Sequence, residues 1–456
     1  MKPKPRLAYI TTHYPALSHT FILGEVEALR RRGLEIHTIS LRRVSGEHLL
    51  CSENRAAWAS TYAVRPPRWR SVLGAHLAAL LSHPRAYLLT LIEATRLARA
   101  GARAKLWQLF YFAEAVLVWR HCAAREVGHI HAHHGSPPAD VALLAAHFGA
   151  LAQTGPRSWS LTMHGSVEFW NVERFNLAEK IRRARAVVCI SDFARSQLMA
   201  LVEEAHWPKL QVVHCGISPL HAQPSPPPAR ERPRLLYVAR LVPEKGHAVL
   251  MRALTILRAR GHDAELVLVG DGPGRARLQA LACELGLSDR LTFAGAVAHE
   301  QMPRHYAACS VFCLPSFSEG VPVVLMEAMA CRVPVVASAV GGVRELVHDN
   351  STGLLVSPGR PDQLAGAIAR LLEHHELRER LGQAGRAHVL REFDIERSAA
   401  ALESIFEGLT AEGGARPQRE TLRRSTQAPS GHHAAGEAFE PEAGALALPL
   451  EGAVGQ

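Results

Sequence analysis

The chain has 456 residues, 48% of them apolar, and a net charge of +10; it is too long for one ordinary core and predicts two or three domains with enough apolar material to bury. No apolar run is long enough to span a bilayer, and eight scattered cysteines without a CxxC pair argue for buried thiols rather than disulfides or a cysteine metal site. The charge is uneven: residues 1–227 carry 27 Lys and Arg against 15 Asp and Glu, the remainder 25 against 27, so an anionic surface would be drawn to the first half. Those cations are dispersed, without the interleaved aromatics of a nucleic-acid groove, which argues against nucleic acid as a partner.

Met1 to Arg6 run straight into the strand-like Leu7-Ala8-Tyr9-Ile10. This leaves no room for a signal-peptide core and predicts a cytoplasmic protein. The loop His13-Tyr14-Pro15-Ala16-Leu17 then leads to a helix beginning near Ser18, with Phe21, Ile22, Val26 and Leu29 on one face. From about Ser71 to Glu126 the pattern is helical, with apolar clusters among Arg85, Arg96, Arg99, Arg103 and Lys105. The segment reads first as domain helices packed on a sheet with solvated Arg; a basic amphipathic face on an anionic membrane surface is the other reading.

His129-Ile130-His131-Ala132-His133-His134-Gly135 alternates as a strand does and ends in a Gly loop. A zinc site needs ligands converging from spaced elements, so these histidines read as a strand end and no metal is expected. Trp159 to Gly165 is a further strand, placing His164 at its carboxyl end, where a parallel sheet meets ligands. Strands Val187–Ser191 and Gln211–Ile217 close the first half, and a Pro-rich linker follows.

The second half restarts with Arg234-Leu235-Leu236-Tyr237-Val238-Ala239-Arg240, and a short loop delivers Lys245 just before a helix. Two cations so spaced can straddle a diphosphate, Arg as a planar fork and Lys as a point charge. The strand Leu266–Val269 leads into Gly270-Asp271-Gly272-Pro273-Gly274, whose spacing and mid-chain position fit a dinucleotide loop poorly. Two apolar runs, Val311–Pro315 and Val333–Ala337, then flank Ser318-Glu319-Gly320-Val321-Pro322-Val323-Val324-Leu325-Met326-Glu327. This is strand, loop, helix, strand. Pro322 suits a first helical turn, so the N–H groups of Val323, Val324 and Leu325 are expected to face the loop and favour an anion.

The Glu319 to Glu327 spacing resembles the E-x7-E motif of retaining glycosyltransferases with the two-domain GT-B fold, family 4, also called glycosyl transferases group 1. Arg240 to Gly246 resembles its Arg-x4-Lys-Gly, Thr162 to Gly165 its Thr-x-His-Gly, and His131 to Gly135 its His-Ala-His strand. Tyr14 to Phe21 resembles the opening of exopolysaccharide-type members, although His19 replaces a more usual acidic residue. The resemblance covers about residues 5 to 409, loosely between 45 and 125.

It implies an α/β protein of two Rossmann-like α/β/α domains facing across a cleft. Residues 1–218 would form the acceptor-side domain, 219–233 the linker, 234–392 the nucleotide-sugar domain, 393–410 a helix crossing back onto the first domain, and 411–456 a disordered tail. It implies His164, Glu319, Arg240 and Lys245 as the catalytic set. Gly270, Asp271, Val297, Gly320, Val321, Pro322, Val323, Val324 and Glu327 would bind the donor, Glu319 at the sugar and Glu327 at the ribose, and His13, Tyr14 and Ser18 would lie on the acceptor side.

The activity implied is that of a metal-independent hexosyltransferase. Its donor substrate would be a nucleotide-diphospho-sugar, with no cofactor, and its acceptor a saccharide or lipid-linked saccharide of exopolysaccharide or envelope polysaccharide synthesis, with an anionic membrane surface as a further partner. Two readings stay open beside it: a sugar-nucleotide epimerase of the same fold, and a non-catalytic sugar-nucleotide-binding subunit.

Overall fold

The structure, a computed structural model, describes residues 4–16, 20–44, 46, 49, 51–65, 69–99, 101–165, 167–218 and 232–411. Ser18, His19, most of the Pro-rich linker and all but the first residue of the expected tail lie outside them. Thirteen strands form two wholly parallel sheets. In the first half they are β1 (Arg6–Thr11), β2 (Glu35–Ser40), β3 (Tyr62–Ala63), β4 (His129–His133), β5 (Ser158–Met163), β6 (Val187–Cys189) and β7 (Leu210–Val212), in the order β3-β2-β1-β4-β5-β6-β7. In the second they are β8 (Arg234–Val238), β9 (Glu265–Val269), β10 (Leu291–Gly295), β11 (Val311–Leu314), β12 (Val335–Ser338) and β13 (Leu354–Val356), in the order β10-β9-β8-β11-β12-β13.

Both orders reverse beside the first strand of the half, between β1 and β4 and between β8 and β11. Those reversals open crevices beyond the strand carboxyl ends, where doubly wound sheets take ligands. Parallel strands covered on both faces read as continuous apolar runs, and β11, VFCL, and β12, VVAS, are buried throughout. The fold class expected from the sequence is the one observed.

In the first half, Ala8 and Ile10 of β1 enter one core while Leu7 and Tyr9 enter the other. That is the period of two made visible on both faces of one sheet. The Leu7 and Tyr9 face is covered partly by the helix Thr20–Arg31 and partly by the last helix, Ile395–Ala411, through Ala399, Leu402 and Phe406. Glu403 on that helix bonds Lys4 and Arg32, each at 2.6 Å. The chain crosses back at Ile217, whose N–H donates to Phe393 O at 2.9 Å.

The region expected to be helical between Ser71 and Glu126 is three helices, Trp69–Ser82, Pro84–Leu97 and Ala102–Ala123. They pack on each other and on the helix Pro137–Ala152, with His76 Nδ1 2.9 Å from the Tyr87 hydroxyl and Phe112 edge-on to Tyr87.

Candidate functional site

The second crevice is organised by a buried tyrosine. Tyr237, the fourth residue of β8, donates its hydroxyl to the carbonyl of Lys245 at 2.6 Å and lies 3.1 Å from Ser316 Oγ. Ser316 Oγ in turn donates to Glu319 Oε1 at 2.7 Å, and Lys245 Nζ donates to the same oxygen at 2.7 Å. The loops after β8 and β11 are thus tied together across the sheet reversal, and Phe317 N–H to Glu244 O at 2.9 Å adds a second stitch. Glu319 is 8% exposed. A carboxylate so buried needs its charge met, and Lys245 with Ser316 does so. Burial, with the Glu319 charge adding, pushes the Tyr237 phenol well above its ordinary value, so it remains a neutral donor.

Arg240 stands exposed just past the end of β8, with no ion-pair partner among the described residues. On the far side of the loop, the helix Val323–Ala330 starts one residue later than the sequence suggests. Pro322 is its N-cap, at φ −77° and ψ 114°, and no side chain caps it. Leu325 N–H bonds Pro322 O at 3.1 Å, so it turns into the helix rather than toward the loop. Val323 and Val324 are left as the first-turn donors.

Glu327 lies one turn further, where Tyr306 donates to its Oε2 at 2.6 Å and His299 Nδ1 is 3.7 Å from its Oε1. Glu327 and Val323 line an interdomain cavity of about 390 Å³ whose opposite wall is the helix Thr20–Arg31, through Phe21 and Gly24.

Gly270, at φ 128°, turns the loop after β9 so tightly against β8 that a Cβ there would stand 2.0 Å from Ala239 O. Asp271 Oδ1 accepts from Gly272 N–H at 2.8 Å, and its Oδ2 is 3.5 Å from Arg275. This loop borders Arg240, since Leu241 N–H donates to Asp271 O at 3.0 Å. Val297 is half-buried just past β10.

The first domain reaches the same place from across the cleft. His164 follows β5 and is half-buried; its Nε2 is 2.9 Å from His133 Nδ1, its Nδ1 3.9 Å from Cys215 Sγ, and its ring 4.8 Å from that of Phe21. Its carbonyl abuts Gly320, where a Cβ would stand only 2.1 Å away. Only glycine permits that approach. Glu345 fastens the domains nearby: its two carboxylate oxygens accept the N–H groups of Asp192 and Phe193, each at 2.8 Å, capping the helix Asp192–Met199.

The histidines of β4 behave as a strand end. His129 bridges Ser158 and Ser160 at 2.8 and 2.7 Å, and His131 bridges Ser160 and Thr162 at 2.7 and 2.8 Å. Burial pulls His129 down to about 3 and His131 well below its ordinary range. Glu25, His131 and His133 lie close enough to converge on an ion, but both His131 nitrogens already face hydroxyls and Glu25 accepts from Tyr9 at 2.8 Å. The group does not present a free ligand set.

On the acceptor side, His13 is half-buried at the end of β1, whereas Tyr14 is 2% exposed and packs in the core with Tyr9 and Ile22. The Tyr14 ring is thus part of the core beside β1. Residues to which the sequence alone assigns no site role are Tyr237, Ser316, Tyr306, His299, His133 and Glu345. Of these, Ser316 carries a local signal, three residues before Glu319 in the same loop, and so does His133, in the alternating histidine strand.

Residues 222–388 match the family described as Glycosyl transferases group 1. The whole described fold aligns with HepE of Anabaena in complex with UDP and glucose, at TM-score 0.67 and 19% identity, over 89% of this chain and 100% of that one. The fold is GT-B. Among curated proteins, the chain is 38% identical over 185 residues to a GDP-mannose-dependent alpha-(1-6)-phosphatidylinositol monomannoside mannosyltransferase of Mycobacterium tuberculosis, covering 39% of this chain and 48% of that protein. It is 36% identical over 176 residues to the alpha-D-kanosaminyltransferase of Streptomyces kanamyceticus, covering 39% and 46%. The chain thus spans about half the length of the curated relatives it matches. No helix of the described residues is long and apolar enough to cross a membrane.

Proposed function

We propose that the protein is a retaining, metal-independent hexosyltransferase. It moves a sugar from a nucleotide-diphospho-sugar to a saccharide or lipid-linked acceptor, at the cytoplasmic face of a membrane, in exopolysaccharide or envelope polysaccharide synthesis. The observation that carries the reading is the Lys245–Glu319 pair at 2.7 Å, set at the sheet reversal of the second domain and facing His164 across the cleft. The mannosyl and kanosaminyl transfer named for the two curated relatives, and the UDP and glucose held by the Anabaena protein, are of this chemical class.

The roles follow from charge and position. Lys245, the exposed Arg240 and the first-turn N–H groups of Val323 and Val324 hold the diphosphate. As the sugar–phosphate bond breaks, negative charge grows on the departing nucleoside diphosphate, and donors already in place stabilise it without reorganising. Both bonds to Glu319 converge on Oε1, which leaves Oε2 for a hydroxyl of the donor sugar. Glu319 therefore orients the sugar and supports developing positive charge at its anomeric carbon, while the leaving phosphate takes the acceptor's proton on the same face. Glu327 takes a ribose hydroxyl, Gly270, Asp271 and Val297 border the nucleotide, Gly320, Val321 and Pro322 shape the loop beneath it, and His164 closes the site from the first domain.

The test is product analysis of the full chain with UDP-, GDP- and ADP-sugars, alone and with a lipid-linked saccharide fraction. A new glycoside with the donor's anomeric configuration is expected only when acceptor is present. An altered sugar nucleotide from donor alone would make the protein an epimerase, and tight donor binding without any product would make it a binding subunit.

A further inference from the structure

The three helices between residues 69 and 110 turn a large apolar surface outward. On Trp69–Ser82 the exposed positions Trp69, Leu73, Leu77 and Leu81 fall at i, i+4, i+8 and i+12, one stripe on the helix, with Trp69 69% and Leu81 73% exposed. Ala75 and Ala79 face inward instead. Leu88, Leu89 and Ile92 are exposed on the neighbouring Pro84–Leu97, and Leu106, Trp107, Leu109 and Phe110 on the first half of Ala102–Ala123. Eleven of the fourteen exposed large apolar residues among the described residues lie in this one span. Scattered exposed leucines need no explanation, but such a concentration marks an interaction surface.

The charges say what kind. Arg70, Arg85, Arg96, Arg99, Arg103 and Lys105 are all exposed in the span. Its single carboxylate, Glu93, is buried and ion-paired with Arg183 and, at 4.0 Å, with Arg96, and Arg99 pairs with Glu173 outside the span, which leaves Arg70, Arg85, Arg103 and Lys105 without an ion-pair partner among the described residues. A two-fold pairing of this face with a second copy would set like charges against one another. A protein partner would have to be both greasy and acidic. An anionic phospholipid surface offers both properties together, acyl chains for the leucines and phosphates for the cations. Trp69 and Trp107 suit the boundary between them, where an amphipathic ring keeps one end apolar and one wet.

We infer that the surface formed by Trp69–Ser82, Pro84–Leu97 and the first half of Ala102–Ala123 docks on an anionic bilayer, its apolar residues entering the headgroup boundary and its Arg and Lys lying among the phosphates. The arrangement lies on the surface and does not span. It does not depend on the transferase reading, since vesicle binding and sugar transfer are separate measurements, and it would hold equally for a donor-binding protein without turnover.

The experiment is vesicle co-sedimentation of the full chain at low and at high salt, on neutral phosphatidylcholine and on phosphatidylcholine with about one-third phosphatidylglycerol. Binding to the anionic vesicles about tenfold or more tighter than to neutral ones, weakened by salt, is expected. The triple variant Leu73→Ser, Leu77→Ser, Leu81→Ser should lose about tenfold on anionic vesicles while its melting temperature stays at or above the parent's, because exposed leucines contribute little to the fold. A separate charge variant, Arg96→Gln with Arg103→Gln, should weaken binding and flatten its salt dependence. No binding of the parent to anionic vesicles at low salt overturns the proposal. So does a dimer whose dissociation is caused by the leucine variant and whose vesicle binding that variant leaves unchanged.

Discussion

The two halves of this molecule share one architecture and use it differently. In the second, the crevice at the sheet reversal holds a buried carboxylate, Glu319, paired with the half-buried Lys245, with a neutral Tyr237 behind it and the exposed Arg240 beside it. Among the described residues of that half, the single large apolar side chain exposed is Phe317, beside the site itself. In the first half buried imidazoles and hydroxyls bridge β4 to β5 within the sheet, while the domain's outer helices carry the exposed leucines and arginines. One domain gathers its polar groups at the proposed donor site, and the other turns apolar and basic side chains outward. The lesson is that the proposed donor site and the proposed membrane surface can be altered separately.

The largest expected effect lies at the pair. Glu319→Ala, Lys245→Ala and His164→Ala should each lower sugar transfer by ~10²-fold or more, the scale of losing one preorganised contact in a dry site. Near-normal turnover by all three folded variants would end the distinction between the halves. Glu345→Ala removes the carboxylate that caps Asp192–Met199 across the cleft. It should cost about 1 kcal/mol of stability, the usual worth of a helix cap, and raise donor KM more than it lowers kcat. An unchanged KM would mean that Glu345 only caps a helix.

The first domain makes its own prediction in pH. The unfolded chain takes up protons at His129 as pH falls through 6.5, whereas the buried ring resists until about 3. The contribution of this neutral histidine is complete above pH 6.5 and shrinks below it, by about 1.4 kcal/mol per pH unit. His131 acts in the same direction. His247 in the second domain, held down to about 4 by burial and then by the Lys245 charge, adds a smaller loss. Denaturant melts at pH 7.0 and 5.0 should show this acid loss, and His129→Gln should reduce it. Equal stability at both pH values would contradict the buried-neutral assignment.

Smallest is Glu327→Gln, which keeps a carbonyl acceptor for the proposed ribose hydroxyl but alters the Tyr306 contact. It should weaken donor binding about threefold to tenfold, the worth of one hydrogen bond in which a charge is replaced, and leave vesicle binding untouched.

The parts of the proposed donor site are local in the sequence. Arg240, Lys245, Glu319 and Glu327 each sit at a fixed offset from a short, largely apolar strand, RLLYV or VFCL, so strand, loop and helix place them without knowledge of the rest. What tertiary packing decides was not readable. Nothing local says that Tyr237 reaches Ser316, 79 residues away, that Tyr14 turns inward, or that Glu345 caps a helix 152 residues earlier. The outer helices are the sharpest case. Leu73 and Ala75 are both apolar, and only the packing of three helices on one another determines which of them faces out.

The central claim is that Lys245 and Glu319 hold a nucleotide-diphospho-sugar. The most direct test is titration calorimetry of the full chain and of its Lys245→Ala variant with UDP-, GDP- and ADP-sugars, with NAD as the control. The account predicts that one sugar nucleotide binds the parent, that the variant binds it at least about tenfold more weakly through loss of a charged contact, and that NAD does not bind. Equal affinity of parent and variant for the donor, or no binding of any sugar nucleotide, would contradict it.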